Sequence, residues 1–130
     1  MTTGNSVNVQ NFVQMYTVTG VDGKVVAATK IMSTSGQGRF TPLSITFELA
    51  NVAGYVSAIT ASVGTNAILY NDVMLAVAIP TITTVNSLQT NSLSTNAISI
   101  PPSTDVYLNI TVAAVAGTFN LKVSITGFYN

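Results

Sequence analysis

The feature that most constrains this chain is a pair of alternating runs between Asp105 and Tyr129. In the first, Val106, Leu108, Ile110 and Val112 share one side while Tyr107, Asn109 and Thr111 share the other; in the second, Phe119, Leu121, Val123 and Ile125 oppose Asn120, Lys122, Ser124 and Thr126. A period of two is the mark of a half-buried β-strand, because successive side chains leave opposite faces of a pleated backbone. Read as neighbours, the two strands form a hairpin with Val112 opposite Leu121, Ile110 opposite Val123 and Leu108 opposite Ile125, Thr111 beside Lys122 and Asn109 beside Ser124 on the outer face. A four-residue loop from Val115 to Thr118 fits that register.

The same alternation recurs upstream. Leu43, Ile45, Phe47 and Leu49 are expected inward, with Ser44, Thr46 and Glu48 outward. Val13 to Thr19, Lys24 to Met32 (with Val25, Ala27, Thr29 and Ile31 on one face), Tyr55 to Val63, Val73 to Ile79 (Val73, Leu75, Val77 and Ile79 inward) and Ala97 to Ile100 also read as strands. Glycine, asparagine and proline clusters punctuate them at Gly20 to Gly23, Ser33 to Thr41, Asn51 to Gly54, Gly64 to Asn66 and Pro101-Pro102. From Thr81 to Asn96 the chain is of low complexity, NSLQT being nearly repeated as NSLST, and reads as a long polar loop or edge strand. No convincing amphipathic helix appears. The fold class is all-β: an antiparallel two-sheet sandwich, jelly-roll-like, of eight to ten strands, with an immunoglobulin-like sandwich as runner-up. Residues 1–6 read as a small polar N-terminal arm and 7–130 as a single sandwich domain.

Charge is nearly absent. Only 6% of the 130 residues are charged, against about 25% in ordinary soluble domains, and Lys24, Lys30, Arg39 and Lys122 balance Asp22, Glu48, Asp72 and Asp105. Nineteen threonines, twelve serines and twelve asparagines supply the polar surface instead. Two readings follow: a neutral exterior against water, or one lying against neighbouring subunits, whose interface cores are depleted of charge.

This inventory excludes whole classes of chemistry. With neither histidine nor cysteine, a Ser-His-Asp triad, a Cys-His pair, a His- or Cys-ligated zinc site and a disulfide framework are all impossible. Glu48 and Asp72 are the pair left for glycoside chemistry, and nothing in their spacing brings them together. Asp22 or Asp72 with neighbouring asparagines could hold calcium, but no EF-hand loop is present. The glycine-rich Ser33 to Thr41 segment leads through Pro42 into a strand rather than a helix, the wrong context for phosphate. Four scattered basic residues disfavour nucleic acid. The longest apolar run, Ala67 to Pro80, is broken by Asn71-Asp72 and too short to span a bilayer; the first ten residues lack the pattern of an export signal, and Asn109-Ile110-Thr111 is an accidental glycosylation sequon in mid-strand. The expectation is a protein with no enzymatic activity, cofactor, metal, nucleic-acid partner or membrane partner. A carbohydrate-binding module is the main rival to a structural role. It would use tyrosines at 16, 55, 70, 107 and 129, since tryptophan is missing.

The C-terminal stretch DVYLNITVAAVAGTFNLKVSITGFYN, about a fifth of the chain, resembles the closing hairpins of small virion proteins of tailed bacteriophages, in particular capsid decoration (cement) proteins and fibre or tail accessory proteins. The resemblance rests on alternating β-branched residues, an Ala-Gly turn and a terminal Gly-Phe-Tyr. It implies a β-sandwich or jelly roll that assembles as trimers or other oligomers on the capsid surface and bridges neighbouring capsid subunits without catalysis. On this reading the partner interface is expected at Tyr107, Asn109, Thr111, Lys122, Ser124 and Thr126, with Arg39, Asn86 and Asn91 in the two polar segments. The alternative is a carbohydrate-binding or host-attachment module of a phage tail or fibre.

Overall fold

The computed structural model describes residues 13–54, 57, 59–79, 88–91, 93, 99–115 and 117–130. The polar arm at 1–6, Val7, Val9, Tyr55, Asn86, most of the second NSL repeat and Ala97 lie outside them. Eight strands follow in order: β1 (Val13–Asp22), β2 (Ala28–Ser33), β3 (Phe40–Ala53), β4 (Thr60–Gly64), β5 (Met74–Ala78), β6 (Leu88–Asn91), β7 (Asp105–Val112) and β8 (Thr118–Tyr129). They form two antiparallel four-stranded sheets, here called A (β1-β8-β3-β6) and B (β2-β7-β4-β5). The first strand pairs with the last, the second with the seventh, the third with the sixth and the fourth with the fifth. This nested pairing, with successive long strands alternating between sheets, is the jelly roll expected from the sequence.

The core is the set of inward faces. Phe40, Ile45, Phe47, Leu49, Phe119, Leu121, Val123 and Ile125 of sheet A meet Ala61, Val63, Val106, Leu108 and Ile110 of sheet B, all essentially inaccessible. Each large apolar side chain so placed stabilises by roughly 1.5–3 kcal/mol. An inward aromatic cluster closes one end: the Phe40 ring lies 5.8 Å from Tyr16 and 5.0 Å from Tyr129.

The hairpin expected between Asp105 and Tyr129 does not form. β7 pairs with β2 and β4, whereas β8 pairs with β1 and β3. The two runs occupy opposite sheets, and their apolar faces meet across the core. Alternation specifies which face is buried, and that requirement is met equally by strands side by side or face to face. The connection between them crosses from sheet to sheet: Ala114 N–H donates to the Gly23 carbonyl at 2.8 Å, and Val115 bridges to Ser57. Val112, expected inward, is left at the end of β7 and is 52% exposed.

Bulges account for other departures from strict alternation. In β3 the register shifts between Pro42 and Ser44, so Pro42 is buried while Leu43, expected inward, turns out. Pro42 is tolerated there because it sits at the bulge and beyond the reach of β6, which pairs only from Ile45 to Glu48. A shift between Lys30 and Met32 buries both Ile31 and Met32, and β2 begins only at Ala28, leaving Val25 and Ala27 exposed. The shift between Ala61 and Val63 on β4 buries Val73 and Met74 together and leaves Leu75 out. The polar segment before Asn96 does contribute an edge strand, β6. Ile100 makes only an isolated bridge to Phe40.

Gly127 packs too closely to admit a side chain. A Cβ there would lie 2.5 Å from Phe40 Cζ and closer still to the Thr41 carbonyl oxygen. Gly127→Ala is therefore expected to lower stability by about 1–3 kcal/mol through overpacking, read as a lower denaturant midpoint at unchanged slope. Val123→Asp or Ile110→Asp should abolish cooperative folding, as judged by loss of the unfolding transition.

Candidate functional site

The topology divides the expected interface residues between two opposite surfaces. Tyr107, Asn109 and Thr111 lie on the outer face of sheet B; Lys122, Ser124 and Thr126 lie on the outer face of sheet A, on the other side of the sandwich. Lys122 neighbours Glu48 and Ser124 neighbours Thr46, in place of Thr111 and Asn109.

Part of the outer face of sheet B is covered by its own chain. The connection between β4 and β5, Thr65 to Val73, folds back over it. The Tyr70 ring packs at 4.9 Å on Tyr107, and the Leu69 carbonyl accepts from Ser62 Oγ at 3.1 Å and from Asn109 Nδ2 at 3.3 Å. Gly64 permits the approach, since a side chain there would strike the backbone of Tyr70 and Asn71. The loop is held from within. The Asp72 carboxylate accepts from both the backbone N–H and the hydroxyl of Thr65 at 2.6 Å, and Asn66 Oδ1 accepts from the N–H groups of Asn71 and Asp72. Asp72 thus closes the loop by bonding back to its first residue, Thr65. At the loop's surface Ile68 and Leu69 are 85% and 64% exposed. Asp72→Ala is expected to speed amide exchange from Thr65 to Asp72 while leaving β8 protected; equal exchange would show that the carboxylate does not hold the loop.

Sheet A is less covered: Thr17 and Thr90 are exposed on its outer face and Thr46, Glu48, Lys122 and Thr126 partly so, while Ser124 at the centre is packed between its neighbours and only 8% exposed. One cross-strand row runs Thr17, Ser124, Thr46, Thr90 over all four strands. The hydroxyls of Thr17 and Ser124, and those of Thr46 and Thr90, are each 3.0 Å apart. The next row holds Lys122 and Glu48, paired at 3.7 Å and both partly exposed, a surface contact worth about 0–1 kcal/mol. On the other side Thr126 neighbours Met15 and Ser44. Met15 at one edge and Leu88 at the other are 66% and 60% exposed. Thr17, Thr46, Thr90 and Met15 were not singled out by the sequence. Their period-two spacing gives each a face, but only strand order puts them on one surface.

Arg39 stands apart from both faces, its guanidinium donating to the Ser99 hydroxyl and carbonyl at 2.9 and 2.6 Å. Asn91 lies opposite Ile45 and so turns to the inner side at the sheet edge, where its Oδ1 accepts from Gln89 Nε2. Asn86 is outside the described residues.

The chemistry weighed for the carboxylates finds no common site. Glu48 pairs with Lys122 on sheet A, whereas Asp72 is engaged by Thr65 beside sheet B. The described tyrosines do not form open stacking platforms for sugars: Tyr70 and Tyr107 pack on each other, and the Tyr16 and Tyr129 hydroxyls bond at 2.7 Å, with Tyr129 Oη also accepting from Ser35 N–H. Burial, aided by that hydrogen bond and the proximity of Tyr129, pushes the Tyr16 phenol up to about 12. The folded state favours the neutral phenol. Its contribution is complete below the unfolded value of about 10 and is lost as pH rises through about 12. Titration by phenolate absorbance should show this step falling together with stability, and Tyr16→Phe should remove it.

No family model matches the sequence, nor does any curated protein. Among solved structures, a chain of the cyanophage Pam1 capsid asymmetric unit superposes with a TM-score of 0.54 at 16% identity, over 92% of this chain and 84% of that one. A chain of the acid-stable capsid of the Helicobacter pylori bacteriophage KHP30 gives a TM-score of 0.58 at 9% identity, over 89% and 86%. At these identities the likeness is one of fold, and it extends over nearly the whole sandwich.

Proposed function

We propose that this is a non-enzymatic structural virion protein: a capsid decoration protein that binds the assembled shell, contacts neighbouring capsid subunits and stabilises the particle. The observation that carries the reading is the near-full-length agreement of its jelly roll with chains of two phage capsids. Three features support it. The surface is almost without charge, as suits extensive burial against protein. The acidic groups are occupied locally, Asp22 by Lys24 N–H, Glu48 by Lys122, Asp72 by Thr65 and Asp105 by Ser33. Bare apolar side chains occur on the β4–β5 loop and in the connections at the opposite end, where Val25, Val26 and Val115 are about half exposed or more.

Mechanistically, a ligand that binds the assembled state in preference to separated subunits stabilises that state by mass action. The protein sits on the capsid surface as a homo-oligomer and adds contacts between subunits that the bare shell lacks. Added to shells stripped of it, the protein should raise their melting temperature and appear as density on the particle exterior. A protein that neither binds nor shifts the melting of such shells, yet is retained on a glycan array, would replace this reading with host attachment.

A further inference from the structure

The outer face of sheet A is self-complementary. Its strand order, β1-β8-β3-β6, places the central pair β8 and β3 on either side of a line parallel to the strands. A twofold axis along that line, lying between two such faces, maps β8 onto the partner's β3 and β1 onto the partner's β6. Lys122 of each copy then opposes Glu48 of the other, since these residues are directly opposed on β8 and β3. The hydroxyl row is also matched: Thr17 meets Thr90, and Ser124 meets Thr46. A twofold axis across the strands stacks each strand on its own copy and brings the unlike charges into no such exchange. Charge complementarity therefore selects both the occupant and the axis.

We infer that the outer face of sheet A is the docking surface for a second copy of this chain, packed face to face about a twofold axis parallel to β3 and β8. The exchanged ion pairs set the register, because misaligned packing leaves each charge with its own-chain partner alone or beside its like. The inference names the partner in the oligomeric part of the reading above and rests on it there alone; capsid binding needs other surfaces, which the dimer leaves open.

The chain has no cysteine, so introduced ones report unambiguously. Thr17 and Thr90 lie three strand spacings apart in one copy, about 14 Å. Across the axis they are neighbours. A mixture of Thr17→Cys and Thr90→Cys chains should yield a covalent dimer with a short bis-maleimide, which spans the roughly 10 Å between packed faces, whereas neither single variant should crosslink alone. Independently, Glu48→Lys and Lys122→Glu should each sediment as monomers and return to dimers when mixed. That recovery requires contact between copies and is not expected if the pair acts only within a chain. Crosslinking of a single variant, ladders beyond the dimer, or a mixture that stays monomeric would overturn the inference. All these measurements use isolated protein, so failure of capsid binding and failure of self-association are separately visible.

Discussion

Everything in this sandwich depends on β8 lying between β1 and β3. It is twelve residues long and its odd-numbered side chains are buried throughout. Its backbone pairs with β3 from Thr118 to Tyr129 and with β1 from Asn120 to Phe128. Without it the described strands of sheet A are two unconnected edges, since among them β1 has no other partner there and β3 keeps only the four-residue β6. The inner side of β8 supplies the middle of the core. Its outer side supplies the middle of the outer face, where Lys122 is partly exposed and Ser124 is packed between its neighbours. One strand thus couples packing energy to surface chemistry. Gly127 shows how closely the coupling is drawn, for the Phe40 ring occupies the space a side chain would need.

The faces of the strands were legible from periodicity alone. Ile45, Phe47, Leu49, Leu108, Ile110, Leu121, Val123 and Ile125 are all buried as their alternation requires. Which strand lies beside which was not legible. β7 and β8 satisfy the same alternation whether paired or facing, and the choice is made by β1, β2, β3 and β4, whose partners are distant in sequence. Leu43 and Leu75 fail for a local reason, because a bulge shifts the register by one beside each and turns that side chain outward. The expected interface at Tyr107 and Asn109 is filled by a segment of the same chain. Only in three dimensions does it become clear that Tyr70 reaches Tyr107.

The two outer faces therefore play unequal parts. Sheet B is covered by its own loop over Tyr107 and Asn109, while Lys30 and Thr111 stay exposed. Sheet A presents rows of hydroxyls framed by Met15 and Leu88, with a single neutralised ion pair near the centre. Hydroxyl groups are both donors and acceptors, so such a face accommodates protein as readily as water and demands no counter-charge. This is how a chain with so few ionic groups keeps a polar exterior while remaining suited to burial in an assembly.

The nested pairing has a consequence for biosynthesis. Thr17 and Ser124 bond across 107 residues, so the first strand made waits for the last before it has a neighbour in its sheet. Contacts this distant in sequence form late and slowly. The rows on sheet A do not exist in a shortened or half-made chain, because their central members arrive with β8. An unfinished molecule is thereby unable to display this face, and the order of the strands acts as a check on completeness.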